Sequence, residues 1–397
     1  MKRDLLIPGS PMARIRGTVA DLETENIALM AARAGDIADV ITLWYGESDI
    51  VTPAFIRDAA KASLDRGETF YVPQMEGHPA LARELAAYQT RLHGVEIGTD
   101  RSTITPGGMQ SLHLALSLIL EPGANAVFLE PQWPNIRHAI HLTGAEPRPV
   151  PLAMVEGRWT LDLDRVKAAC DARTRAIVFS TPSNPCGWVA SDEDLRALVA
   201  FSRKTGIWIV SDEMYARLYF SGDAAPSLLQ HTTAEDLALC VNGFSKAWAM
   251  TGWRLGWLNH PASIAGAVQA MTQYVNSGTA PFVQAAGLAA LRQGEPFVQE
   301  FKARCRDNLA LVYDRLAGSN QIHLPERPEG GMYAFFSLEG EEDAGEACMK
   351  LLTQARVGLS PGHLFGAGSR NYLRMCVAVT PDLLTDACDR IARTPLH

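Results

Sequence analysis

The sequence predicts an α/β fold: a three-layer αβα domain around a mainly parallel sheet, followed by a smaller α+β domain. Three observations point there. Between about residues 47 and 285, segments of helical periodicity alternate with short runs of β-branched residues. The middle runs, such as Ile177-Val178-Phe179 and Ile207-Trp208-Ile209-Val210, are apolar without alternation, as in parallel strands covered on both faces. After about residue 290 this pattern stops, and one long amphipathic helix leads to separated strands and helices. With 397 residues, the chain is also too long for one ordinary core.

Helical spacing of apolar residues recurs over 53–66, 77–93, 109–120, 135–143, 163–170, 191–205, 263–274, 283–292 and 296–316. The intervening short apolar runs predict strands at 102–105, 126–130, 146–151, 176–180, 208–212, 239–242 and 254–258. Beyond the helix 296–316, strands are expected at 332–337 and 372–379, with helices near 344–355 and 381–392. The large domain is therefore expected to span 47–285. The small one takes 286–397 together with 1–46, whose helical segment 21–34 precedes the main alternation.

Composition narrows the function. Hydrophobic residues make up 47% and charged residues 20%, an ordinary globular balance. The net charge of -8 argues against a dedicated nucleic-acid binder, which would show a basic stripe. The N-terminal apolar run Leu5-Leu6-Ile7 is too short for a signal-peptide core, and no stretch approaches the roughly 20 apolar residues of a membrane helix. The 7 cysteines are scattered without a CxxC pair, so neither a disulfide framework nor a zinc site is expected. A reducing, cytoplasmic location fits, and no metal is expected.

Open α/β sheets bind ligands beyond the carboxyl ends of their strands. Five such places stand out. Thr105-Pro106-Gly107-Gly108-Met109-Gln110-Ser111 joins a strand to a helix whose N-terminus suits a phosphate, though a plain helix-start loop reads the same. Ser180-Thr181-Pro182-Ser183-Asn184-Pro185-Cys186-Gly187 is either turn chemistry or a loop that points the Asn184 amide into a site. In Ser211-Asp212-Glu213-Met214-Tyr215, the carboxylate of Asp212 is either a cap or a charge aimed at a ligand. Lys246 lies in Asn242-Gly243-Phe244-Ser245-Lys246-Ala247-Trp248, where desolvation would lower its pKa and ready it for a Schiff base. A surface lysine covering apolar area with its stem is the rival reading. Ser245 and Arg254 flank it with groups suited to a phosphate. Arg374, inside the apolar strand Tyr372-Leu373-Arg374-Met375-Cys376, needs a carboxylate from the protein or from a ligand.

Taken in order and spacing, these elements resemble a fold-type I pyridoxal phosphate (PLP) enzyme. The family is the class I/II aminotransferases, the group containing aspartate aminotransferases. The resemblance runs from Leu43-Trp44-Tyr45-Gly46-Glu47-Ser48-Asp49 through Tyr71, Gly107–Gln110, Asn-Pro-x-Gly, Asp-x-x-Tyr and Ser-Lys-x₇-Arg to Arg374. It implies that Lys246 carries the cofactor as an imine and moves the substrate proton. It implies that Asp212 pairs with the pyridine nitrogen, making the ring an electron sink, while Asn184 and Tyr215 bond the ring's 3′-oxygen. Trp133 would stack on the ring. Ser245, Arg254 and the Gly108-Met109 backbone would hold the phosphate, joined by Tyr71 from the neighbouring subunit of a homodimer. Arg374, assisted by Asn184 and the Gly46 backbone, would bind the substrate carboxylate.

Met109 departs from one aspartate-aminotransferase subgroup, which has a lysine there for the distal carboxylate. With Trp44, Tyr45, Trp133 and Tyr333 as aromatic candidates for the pocket wall, the expected donor is a neutral, apolar or aromatic 2-amino acid. A 2-oxo acid such as 2-oxoglutarate or pyruvate would accept the amino group in a ping-pong cycle. The same constellation also serves C–S β-lyases and related PLP enzymes. A PLP-sensing regulatory module would need an appended DNA-binding domain, for which the short N-terminus leaves no room.

Overall fold

The computed structural model describes residues 11–23, 27, 32, 34, 35, 37–340 and 342–395. Its centre is a seven-stranded sheet. The strands are β1 (Ser102–Thr105), β2 (Asn125–Glu130), β3 (Glu146–Pro151), β4 (Thr174–Ser180), β5 (Trp208–Asp212), β6 (Ala238–Gly243) and β7 (Gly256–Asn259). Their order across the sheet is β1-β7-β6-β5-β4-β2-β3. β7 runs antiparallel to both of its neighbours, and every other pairing is parallel.

The unbroken apolar strands now have a physical reason. Ile177, Phe179 and Ile209 join Val166, Leu195 and Leu198 from the helices Leu163–Ala169 and Asp192–Thr205 on one face. Val178 and Val210 join Leu112, Leu116 and Ile140 from the helices Gly108–Ile119 and Pro134–Leu142 on the other. Period-two alternation sends successive side chains to opposite faces, and both faces are covered. Each fully buried side chain of this size contributes roughly 1.5–3 kcal/mol. Local signals mark the ends: a capping box of Ser191 and Asp194 starts Asp192–Thr205, and Gly206 in the left-handed region stops it.

A second, antiparallel sheet has the order Ile322–His323, Tyr333–Leu338, Tyr372–Cys376, Ser360–Pro361. Its Ala334, Phe336, Leu373 and Met375 pack with Leu309 and Val312 of the helix Glu295–Leu316 and with Leu384 and Ile391 of the helix Pro381–Arg393. Tyr333, Phe335 and Arg374 point to the opposite face by the same alternation. Near the N-terminus, Ile41–Thr42 pairs in parallel with Val357–Gly358, whereas Glu23 forms an ion pair with Arg137 of Pro134–Leu142. Most of the expected helix at 21–34 lies outside the described residues.

Two expected strands are shorter than their apolar runs suggest. The run expected at 254–258 becomes strand only at Gly256, because Arg254 sits in the left-handed region at φ 53°. The run expected at 372–379 ends at Cys376, after which the Val377 amide donates to the Met332 carbonyl. A hairpin of Ala153–Val155 and Arg158–Thr160 was not expected. Its turn, Glu156-Gly157, has both residues at positive φ, the conformation that matches strand twist.

Candidate active site

β1, β2, β4, β5 and β6 all deliver their next residues to one cavity of about 270 Å³ at the carboxyl edge of the sheet. From the large sheet come Gly108, Met109, Trp133, Asn184, Asp212, Tyr215, Ser245, Lys246 and Arg254. Gly46 and Arg374 close it from the second sheet's side.

Lys246 follows β6, is partly buried, and lines this cavity. Its Nζ donates to the Gly46 carbonyl at 2.5 Å. Removal from water lowers its pKa to about 8, and the positive charges of Arg374 and Arg254 act in the same direction. The lysine therefore points inward and does not cover outer surface with its stem.

Asp212 ends β5 and is only 7% exposed. Its Oδ1 accepts the Met214 amide at 3.1 Å, so it does cap the following turn, and it lines the cavity as well. Burial pushes its pKa up to about 6, against the pull of that amide and of the Lys246 charge.

Arg374 is 1% exposed and faces no carboxylate within ion-pair distance among the described residues. Nη1 donates to Asn184 Oδ1 at 2.9 Å; Nη2 donates to the Trp44 carbonyl and, at 3.3 Å, to Ser360 Oγ. Nε has no partner. The guanidinium sits between the rings of Tyr333 (4.5 Å) and Phe365 (4.8 Å). A buried cation with neutral partners and a spare donor is a site for a carboxylate from outside the chain.

At the other end of the cavity, Gly107 has φ +95° and starts the helix Gly108–Ile119. A Cβ there would lie 2.5 Å from Arg254 Nη2, so only glycine lets the guanidinium reach the helix N-terminus. Arg254 has no carboxylate partner among the described residues, and its Nη1 donates to the Thr251 carbonyl at 2.7 Å. Free amides, a guanidinium and the Ser245 hydroxyl together suit an anion.

Residues 38–391 match the family described as Aminotransferase class I and II. The chain belongs to that family.

An aspartate aminotransferase of Pyrococcus horikoshii is 30% identical over 94% of this chain and 95% of its own. An LL-diaminopimelate aminotransferase of Desulforudis audaxviator is 30% identical over 98% and 96%. The solved aspartate aminotransferase of Thermus thermophilus with maleate superposes with a TM-score of 0.88 at 29% identity, covering 96% of this chain and 100% of that one. The chain is accordingly a PLP-dependent transaminase of fold type I.

The cavity of this aminotransferase fits its cofactor. The anion cradle at Gly107 and Arg254 matches a phosphate. Asp212, raised by burial without a cationic neighbour in contact, would be relieved by a ring N–H. Trp133 offers an aromatic face, and Lys246 an amine of lowered pKa.

Two of the residues singled out from the sequence lie outside the cavity wall. Tyr71 is 84% exposed and lines a different hollow, with Phe70 and residues 276–282. Trp44 is buried with its ring against Gly358, where a Cβ would lie 2.0 Å away, and reaches the site only through its carbonyl. Conversely, Ile27, Ser180, Met214 and Thr251 line the cavity and were not singled out. Ser180 could have been found, since it ends a buried strand that the pattern does predict, and Met214, since it lies two residues beyond another. Ile27 and Thr251 carry no motif.

Proposed function

We propose that this aminotransferase moves an amino group from a neutral, apolar or aromatic 2-amino acid to a 2-oxo acid in a ping-pong cycle. One observation carries the choice of donor. The cations of the cavity are all engaged, with Lys246 at the centre, Arg254 at the anion cradle and Arg374 at the buried clamp. No further lysine or arginine among the described lining residues is left for a second carboxylate, and the remaining wall holds Ile27, Tyr45, Met109 and Trp133.

When bound, PLP supplies an electron sink for the pair left at the substrate's Cα. The protein's groups do the rest. Lys246 Nζ would hold the cofactor covalently and, once the substrate's amino group has displaced it, would be the free amine that takes the proton from Cα. Asp212 keeps the ring nitrogen protonated. Asn184 and Tyr215 bond the 3′-oxygen, and Trp133 covers the ring. Ser245, Arg254 and the Gly108-Met109 amides hold the phosphate. Arg374, oriented by Asn184, grips the α-carboxylate, with the Gly46 backbone beside it.

The same reading makes the enzyme a homodimer in which Tyr71 reaches the neighbouring site's phosphate. Exposed Phe70, Tyr71 and Tyr274 support it, as large apolar groups that a partner would cover. Mixing Tyr71→Ala and Lys246→Ala subunits should restore one intact site per heterodimer. No recovery on mixing would remove the shared-site reading. The division into 47–285 and 1–46 with 286–397 belongs to this reading too, supported by the core of the second sheet, whose buried residues include Ile41 and Leu43 and none from 47–285.

A donor panel decides the substrate class. Each donor should convert the visible-absorbing form of the enzyme to the pyridoxamine form. Donors with aromatic or apolar side chains should exceed aspartate in kcat/KM by about a hundredfold or more, since a buried unpaired carboxylate costs on the order of 3 kcal/mol. Preference for aspartate would overturn the donor reading. Release of ammonia and pyruvate from cysteine-type substrates without that conversion would replace transamination by a C–S lyase.

A further inference from the structure

Tyr333 lies in the second sheet, 1% exposed, beside two groups that the proposed mechanism uses separately. Its hydroxyl is 2.7 Å from the hydroxyl of Tyr215, and the two rings meet edge to face at 5.7 Å. Its ring carries the Arg374 guanidinium 4.5 Å above its centroid. The position of the hydroxyl depends on Gly46: a Cβ there would come within 1.9 Å of it. Gly46 thus serves the site twice, since its carbonyl also accepts from Lys246 Nζ.

We propose that Tyr333 is a positioning residue that ties the carboxylate clamp to the proton-handling centre. Its ring supports Arg374, and its hydroxyl orients Tyr215 toward the cofactor. Burial raises the pKa of Tyr333 to about 12 and that of Tyr215 well above its ordinary value, so both phenols keep their protons at neutral pH. Two neutral hydroxyls sharing one hydrogen bond leave one proton over. Both line the cavity, so that proton is offered to whatever occupies it. The charged and titratable groups around the pair are Arg374, Asp212, Lys246 and the thiols of Cys376 and Cys305. None of them replaces the hydroxyl bond between the tyrosines.

The inference rests on the proposed role of Tyr215 at the 3′-oxygen. The readout is the pH midpoint of the holoenzyme's visible absorption band. Tyr333→Phe keeps the ring under Arg374 and removes only the hydroxyl. It should raise the midpoint by about half a unit or more, the scale of one hydrogen bond. The half-saturating donor concentration should stay within about twofold. Tyr333→Leu should raise that concentration about fivefold or more as well, because the cation then loses its aromatic support. Tyr215→Phe should also raise the midpoint, and Tyr215→Phe with Tyr333→Phe should move it no further than about 0.2 unit beyond Tyr215→Phe alone.

An unmoved midpoint in Tyr333→Phe, or shifts that simply add in the double variant, overturns the proposal. Equal donor saturation in the Phe and Leu variants overturns the clamp arm. If Tyr333→Leu does not fold, the isosteric Phe variant and the double variant still decide. A wild-type band with no response to Tyr215→Phe counts against the Tyr215 reading instead, so the two failures are separable.

Discussion

Lys246 Nζ and the Gly46 carbonyl, 200 residues apart in sequence, meet in a 2.5 Å hydrogen bond. The bond joins the segment after β6 to the segment that follows Ile41–Thr42, which pairs with Val357–Gly358. It holds the amine in the cavity wall, within electrostatic reach of both Arg254 and Arg374.

With a pKa of about 8, the Lys246 amine is about one-tenth unprotonated at pH 7, some 300-fold more than at its ordinary 10.5. The apoprotein should therefore take up PLP covalently at a rate that climbs with pH and levels off above about 8. Stopped-flow absorbance across pH 6–11 checks this, and a rise centred near 10.5 would contradict the burial argument. Lys246→Ala should still bind cofactor, with turnover lower by about 10³-fold or more.

For Asp212 the sign runs the other way. Below about pH 4 its carboxyl is protonated whether the chain is folded or unfolded. Between about 4 and 6 the folded apoprotein keeps a proton that the unfolded chain releases, so stability falls as pH rises through that window. Above 6 the buried charge costs on the order of 2–3 kcal/mol. Apo Asp212→Asn should therefore melt higher than wild type at pH 7 and match it at pH 4, while losing about 10²-fold or more in turnover. Equal melting at both pH values would refute the unrelieved charge.

Arg374→Lys keeps the charge but loses the planar fork that now spans Asn184, Ser360 and the Trp44 carbonyl. KM for the amino donor should rise about 30-fold or more, with cofactor affinity unchanged. An unchanged KM would mean that substrate carboxylates bind elsewhere.

Met109 stands at the cavity wall, with its sulfur 3.6 Å from Asn135 Nδ2. Met109→Lys should raise kcat/KM for aspartate by about tenfold and lower it for aromatic donors, since a new cation would meet the distal carboxylate and disrupt an apolar wall. No gain with aspartate would show that this position does not face the substrate side chain.

Much of this was legible along the chain because it is local. The strands β4 and β5 could be read from unbroken apolar runs, and the cavity-lining positions Asn184, Asp212, Ser245 and Lys246 from their place just beyond strand ends. Tyr333 could be read as an aromatic candidate for the pocket wall, but not its contacts with Tyr215 and Arg374, which lie far away in sequence. Arg254 was expected inside a strand, since nothing nearby reveals that its backbone turns left-handed to face Gly107.

By itself the sequence determined the residue types, their order and their spacing: a lysine, a carboxylate, two arginines and a glycine-led helix start. Those follow from short-range periodicity and turn chemistry. Tertiary structure alone decided that Arg374 has no carboxylate partner among the described residues, that Trp44 offers its carbonyl in place of its ring, and that Gly46 makes room for the Tyr333 hydroxyl. The reason is physical. Whether a buried charge is paired, and whether two side chains touch, depends on which strands the crossovers bring side by side, and no local stretch of chain contains that information.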